Sequence, residues 1–373
     1  MIRVVFLIRS LGQGGAERQL TTLAAGLDRD RFDVTVITFY SGGCFEKELA
    51  ERDIRLISLR KRGRWNVFPF LWRLVGELRR IHPHVIHSYL VEPNLVSVFV
   101  KPLVRSAKVV WGVRAANMEL ERYDWFARMN FRLQALASRF ADMIIFNSIA
   151  GRDHHLAHGF PARTCRVIHS GVDTERFQPN RESGRPIRRA WGLNDDTVLI
   201  GLVGRLDPMK DHPTFLKAAA LLARADSKLR FVCVGTGPES YGTKLRLLTA
   251  EYKIADRVIW AGERGDMPAV YNALDIACSS SSSEGLPNAI CEAMACGVPC
   301  VVTAVGDSAL LVGDSGIVVP SHDPQALADG LSRTVSMLST GQAPNPRLRI
   351  RENFNLATLV DRTQVALTAL VQN

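Results

Sequence analysis

Several kinds of segment are missing from this sequence, and each absence removes a class of protein. No window approaches the roughly 18 consecutive apolar residues that a membrane-spanning helix needs. The opening MIRVVFLIRSLGQGGAER is apolar only briefly and no small-residue cleavage site follows, so it reads as a first strand and not as a signal peptide. The expectation is a cytoplasmic protein, at most peripheral to a membrane. The seven cysteines form no C-x-x-C pair and fall mostly in apolar stretches, which points to reduced, buried thiols. Cys291, Cys296 and Cys300 straddle a helix and a strand instead of a turn, a poor arrangement for a metal. No nucleophile elbow surrounds any serine or cysteine. No helix-turn-helix, zinc-finger or aromatic RNA-binding pattern accompanies the net charge of +10. That charge suits an anionic partner (a nucleotide, a nucleic acid or an anionic membrane face) without choosing among them.

What is present is a strict alternation. With 373 residues, 47% of them hydrophobic, the chain is long enough for two ordinary domains. Strands are expected at Ile2–Ile8, Val34–Phe39, Val85–Ser88, Lys108–Val113 and Met143–Asn147. A second series is expected at Val198–Val203, Leu229–Val234, Val258–Ala261, Ile276–Ser279, Val298–Thr303 and Gly316–Val319. Helix-length segments separate them, and the strands alternate little, so parallel sheets covered on both faces are implied. Two series imply an α/β protein of two doubly wound, Rossmann-like domains. Turn residues crowd between Gly171 and Pro186, which places a linker at 181–196 between domains at 1–180 and 197–356. A last helix covers much of 357–373. Ligands of such folds bind beyond the carboxyl ends of the strands, so a cleft between the domains is the expected site.

Three stretches at strand ends carry chemistry. SLGQGGAERQL, residues 10–20, follows the first strand and opens a helix. Gly12, Gly14 and Gly15 let a ligand approach the backbone, and the helix N-terminus favours an anion. A dinucleotide fingerprint would want glycine where Glu17 stands, and no acid ends the second strand, so a nicotinamide-dependent oxidoreductase is set back. In VGRLDPMKDHPTFLKAA, residues 203–219, Arg205 and Lys210 offer a bidentate fork and a point charge to a phosphate. In SSSSSEGLPNAICEAMACGVPCVVT, residues 279–303, Pro287 marks a helix start, and amides near Asn288 and Ala289 form an anion site. Glu284 and Glu292 flank it. Two carboxylates would repel a phosphate but accept hydroxyls on either side of a diphosphate, which suggests a nucleotide-sugar.

Together these motifs resemble the retaining glycosyltransferases of family four, with the GT-B fold. HSGVDTERFQP at 169–179, VGTGPE at 234–239 and the stretch 267–303 fit as well, and the resemblance spans nearly the whole chain. It implies an N-terminal acceptor domain, a C-terminal nucleotide-sugar domain and a final helix crossing back to the first. It implies that Arg205 and Lys210 neutralise the donor diphosphate and stabilise the departing nucleoside diphosphate. Glu292 would hold the ribose and Glu284 the transferred sugar. Leu286, Asn288 and Ala289 would present amides to the distal phosphate or sugar, Gly14 and Gly15 would meet the diphosphate, and Gly262 and Arg264 would border the base. The donor would be UDP- or GDP-linked, with no metal required. The transferred unit would be a hexose or N-acetylhexosamine, and the acceptor a glycan or polyprenyl-linked molecule of bacterial cell-surface polysaccharide or glycoconjugate assembly. Anomeric configuration would be retained by attack on the face of departure, double displacement through Glu284 being the alternative. The chain departs from the family where many members carry a histidine, in VVWGVRAANME at 109–119. Here Arg114 stands, which cannot act as a general base. His87 is the other candidate for acceptor activation, unless it is simply a core histidine.

Other readings are set against this one. A basic Rossmann-type nucleotide- or nucleic-acid-binding protein without transferase activity rests on charge alone, and the motifs argue against an epimerase or phosphorylase relative. Asp28-Arg29-Asp30 matches D-x-D but falls in a surface turn, and His154, His155 and His158 lack an accompanying acid for a zinc site. RKRGRWNVFPFLWRLVGELRRIHPH, residues 60–84, interleaves basic residues with Trp65, Phe68, Phe70 and Trp72. It fits a helix lying on an anionic membrane leaflet equally with one packed on the sheet.

Overall fold

The structure, a computed structural model, describes residues 1–12, 14–63, 65–104, 107–114 and 125–372. Of the stretches singled out above, residues 13, 64 and 115–119 lie outside these. The chain forms two compact units, one of Met1–Gly171 with Leu356–Asn373 and one of Val172–Asn355.

The first unit is built on a seven-stranded parallel sheet. Its strands are β1 (Ile2–Ile8), β2 (Phe32–Thr38), β3 (Arg55–Ser58), β4 (Val85–Tyr89), β5 (Lys108–Val113), β6 (Met143–Phe146) and β7 (Cys165–Val167). They lie in the order β3-β2-β1-β4-β5-β6-β7. The β1 sequence explains its central place. Val4, Phe6 and Ile8 enter the core shared with Leu20 and Leu23 of the helix Gly15–Gly26. Val5 and Leu7 enter the opposite core with Phe70, Leu74 and Leu78 of the helix Val67–Ile81. Each such buried side chain is worth about 1.5–3 kcal/mol of transfer free energy. A strand apolar on both faces cannot lie at an edge.

The second unit has a six-stranded parallel sheet in the order β10-β9-β8-β11-β12-β13. Its strands are β8 (Val198–Val203), β9 (Leu229–Val234), β10 (Val258–Gly262), β11 (Ile276–Ser279), β12 (Cys300–Thr303) and β13 (Gly316–Val319). The two doubly wound sheets agree with the expected fold class. Two edge strands escaped the sequence reading. β3 and β7 are 4 and 3 residues long and carry Arg55 and Arg166, so no apolar run announces them.

The expected linker differs more. Arg181–Ala190 is a helix of the second unit, capped by Asn180, whose side chain accepts from Ser183 N at 3.2 Å. Arg188 fixes it by donating to Asp275 Oδ2 and the Ala273 carbonyl, each at 2.9 Å. Gly184, which read as a loop residue, is there because the Asn272 backbone presses against it and leaves no room for a Cβ. The helix Leu356–Gln372 packs Leu359, Val360 and Leu367 into the core of the first unit.

Candidate active site

In an open α/β sheet the crevice opens where neighbouring strands send their chains to opposite faces. In the second unit this point lies between β8 and β11. Both strand ends carry the residues of interest. A pocket here is lined by Gly201–Val203, Ala277–Ser279, Lys210, Tyr271, Ser281, Glu284, Pro287, Ala289 and Ile290.

After β8 the chain makes a short turn, Pro208–Lys210, capped by Asp207 through Met209 N at 2.9 Å. Asp211 then adopts a left-handed conformation (φ 45°) and caps the helix His212–Ala225, its carboxylate accepting from Thr214 N and Oγ1. Two caps one after the other fix where Lys210 points. Its Nζ lies 2.5 Å from Glu284 Oε1, and both side chains are mostly buried. The same Oε1 accepts from Ser281 Oγ at 2.7 Å.

The serine run now has a physical reason. Ser280 Oγ donates to the carbonyls of Lys210 and Asp211 at 2.8 and 3.0 Å. Ser282 N donates to the Met209 carbonyl at 2.8 Å, and Thr303 Oγ1 to the Ser281 carbonyl at 2.6 Å. Small hydroxyl side chains lace the loop after β11 to the turn after β8. Gly306 completes the fit. It lies in the left-handed region (φ +55°), and a Cβ there would run into the carbonyls of Glu284 and Gly285.

The other expected residues divide. Glu292, 7% exposed, accepts from Tyr271 Oη at 2.9 Å. Asn288 and Ala289 open the helix Asn288–Ala295, with Pro287 as N-cap and Leu286 buried behind it. Asn288 Oδ1 is buried without a hydrogen-bond partner. Arg205 is 76% exposed on its side chain, and its nearest acid is Asp207 at 3.7 Å. Arg264, expected with Gly262 to border the base, commits its side-chain fork to Asp266 at 2.9 and 2.6 Å. That pairing holds the Asp266 carboxyl below its usual range. Gly262 ends β10 with φ +66°. Tyr271 and Ser281 were missed in the sequence. The five-serine run beside Glu284 was the signal for Ser281.

Gly14, Gly15, Arg114 and His87 belong to the first unit. Gly14 caps the helix Gly15–Gly26, and a Cβ on it would collide with the Glu17 carboxylate. Arg114 follows β5 and donates to Tyr89 Oη at 2.8 Å, its guanidinium lying 4.8 Å from the ring centre. His87 is 1% exposed and makes tilted ring contacts with Phe6 and Tyr89, the centroids 5.3 and 4.8 Å away. Burial, and secondarily the charge of Arg114, push its pKa down to about 3. So weak a base takes no proton from an acceptor at neutral pH.

The remaining signals resolve as structure. His155 is buried and its Nδ1 meets the Gly151 carbonyl at 2.7 Å, so it packs inward as a core residue of its helix. Cys44 is exposed and the other six cysteines are buried and free. Among the described residues no group of histidine, cysteine and carboxylate side chains could hold a metal, and no helix is long and apolar enough to cross a membrane.

Two family models match the chain. Glycosyl transferases group 1 matches residues 197–337, and Glycosyltransferase Family 4 matches residues 13–176. The D-inositol 3-phosphate glycosyltransferase of Saccharomonospora viridis is 36% identical over 179 residues, 45% of this chain and 41% of that protein. The protein of the same name from Salinispora arenicola is 32% identical over 275 residues, 68% of this chain and 61% of that protein. The chain thus spans less than two thirds of the length of these relatives. The solved structure of Anabaena HepE in complex with UDP-glucose has a TM-score of 0.88 at 23% identity, covering 99% of this chain and 100% of that one.

Proposed function

The chain belongs to the group 1, family 4 glycosyltransferases and has their GT-B fold; from that premise we propose that it moves a sugar from a nucleotide-sugar to a hydroxyl acceptor, retaining anomeric configuration and needing no metal. The observation that carries this is the meeting of Lys210 and Glu284 at 2.5 Å at the switch point of the second sheet. Lys210 supplies positive charge where a leaving diphosphate gains negative charge, which is a transition-state interaction. Arg205, exposed beside it, closes on the same phosphates. Glu284, oriented by Ser281, accepts hydroxyls of the transferred sugar, and Glu292, held by Tyr271, accepts those of the ribose. Asn288 and Ala289 receive the far end of the donor with their first-turn amides. Arginine at 114 and a histidine of pKa about 3 at 87 leave no general base in the first unit's cluster. The departing phosphate then takes the acceptor's proton, on the face it leaves. A hexosyl or N-acetylhexosaminyl donor on UDP or GDP fits, UDP being the first to try because the HepE structure holds UDP-glucose. The acceptor is a glycan or a lipid-linked sugar of cell-surface glycoconjugate assembly.

A thermal-shift titration with UDP, GDP, ADP and CMP, with magnesium and with EDTA, tests the donor site. One nucleoside diphosphate is expected to raise the melting temperature equally in both, by mass action. A shift only with magnesium sinks the metal-free site.

Peripheral contact with an anionic leaflet is proposed for the segment 60–84. The helix Val67–Ile81 buries Phe70, Leu74 and Leu78, yet Trp65, Phe68 and Trp72 stay 89%, 85% and 83% exposed, with Arg62, Arg73 and Arg79 among the exposed residues. One face of the helix packs on the sheet, and the exposed aromatic and basic residues of the other support the leaflet contact. Flotation with vesicles of anionic lipid is expected to carry the wild type and to lose the Trp65→Ala/Phe68→Ala/Trp72→Ala variant. Equal flotation of the two would count against it.

A further inference from the structure

Among the described residues, Arg114 is a cation with no counter-ion. One of its nitrogens reaches Tyr89, while Nε and the other terminal nitrogen are buried without a hydrogen-bond partner. No described carboxylate forms an ion pair with it. Arginine does not escape this cost by losing its proton. A guanidinium with desolvated, unfilled donors is stable only if something negative completes it. His87 beside it supplies no charge. It is buried, neutral, and has both ring nitrogens unpartnered. Native proteins rarely leave two neighbouring buried polar groups unsatisfied, and such pairs collect where a ligand belongs.

Position agrees with this. Arg114 lies just past β5 and Tyr89 ends β4, two residues after His87, so the group sits toward the carboxyl edge of the first sheet. The switch point of that sheet is between β1 and β4, the next pair across. Tyr89 holds the guanidinium by a hydrogen bond and by its ring face at once, which fixes the direction of the two open donors.

We propose that Arg114 is the docking point for an anionic group, a phosphate or a carboxylate, carried by the acceptor, with His87 as a neutral hydrogen-bond partner for a hydroxyl close to it. The acceptor is thus an anionic polyol or sugar: a sugar phosphate or a uronate. Arg114 and His87 are binding residues that position the acceptor. This rests on the transferase reading, in which the donor diphosphate belongs to Arg205 and Lys210 of the other unit.

The test is calorimetric and uses the full chain without a donor. The probes are glucose, glucose 6-phosphate, glucuronate and inorganic phosphate. At least one anionic sugar is expected to bind roughly tenfold to a hundredfold tighter than glucose, the span of charge-assisted hydrogen bonds. Arg114→Gln is expected to erase that preference and to leave nucleoside diphosphate affinity unchanged. Arg114→Lys keeps the charge but loses the fork, and is expected to retain part of the preference, which guards against a merely misfolded Gln variant. The proposal is overturned if no anionic probe binds, or if the preference survives Arg114→Gln. It is also overturned if nucleoside diphosphate affinity falls in step, since Arg114 would then serve the donor. Failure of the transferase reading itself shows separately, as no nucleoside diphosphate binding by the wild type.

Discussion

The two units place opposite electrostatics at equivalent edges of similar sheets. In the second, the cation and the acid meet: Lys210 and Glu284 come from different strand ends and pair at 2.5 Å, with Ser281 completing the acid. In the first, Arg114 and His87 have unpartnered buried nitrogens, and no described carboxylate pairs with Arg114. A paired site is organised before its ligand arrives, because its charges are already matched. An unpaired one leaves its donors to be matched by whatever binds there. One fold repeated within one chain thus holds a half whose charges are matched and, on the proposal above, a half that an anionic ligand completes.

The sharpest way to break this comparison is to remove the pair. Lys210→Ala and Glu284→Ala are each expected to lower kcat/KM for transfer by roughly a thousandfold, the scale of a lost transition-state contact. Initial rates with a UDP- or GDP-sugar decide it, with circular dichroism to show that the fold survives. Near-wild-type turnover in either variant would refute the assignment of roles.

Acid is expected to separate the units next. His87 and His155 lie in the first unit with pKa values pushed down to about 3 and about 4 by burial. His212, at about 4 for the same reason, lies in the second. A folded pKa below the ordinary 6.5 means that the unfolded chain binds the proton more readily. The stabilising effect is whole above pH 6.5 and drains away as pH falls toward 4 and then 3. His87 alone stands to cost about 3 kcal/mol by pH 4. Hydrogen exchange as a function of pH should show the first unit opening before the second. Loss of the second unit first would contradict the contrast.

Ser281→Ala is the mildest test. It deletes one hydrogen bond to Glu284 Oε1 and leaves Lys210 in place, so about 1 kcal/mol of stability and a several-fold fall in kcat are expected. A stability loss measured by urea unfolding with unchanged kcat would make Ser281 purely structural.

How much of this could be read beforehand depended on range. β1, β5, β8, β9 and β11 lie where their apolar runs placed them, because a buried parallel strand writes its own signature locally, and the apolar run of the edge strand β13 marked it too. β3 and β7 do not, because each is short and carries an arginine, so no apolar run marks it before its neighbour pairs with it. Gly184 misled because glycine marks close backbone contact as readily as a turn. In the site, Lys210 and Glu284 were each legible as chemistry, but 74 residues separate them and their pairing exists only because β8 and β11 are neighbours. Arg264 pairs with Asp266 only two residues away, a local ion pair that leaves the backbone of residues 262–264 as the part of this segment able to border a base.

The helix Leu356–Gln372 has a consequence for the order of events during synthesis. Val360 fills the space over Gly26, and Gln364 accepts from the Asp28 backbone at 2.8 Å. The first unit therefore borrows part of its core from residues translated after the whole second unit. On the ribosome, the second unit has all its residues before the first does. Until residue 356 and those after it emerge, Leu20, Leu23 and Ala24 keep an uncovered apolar flank. The unit that begins first is the one that finishes last.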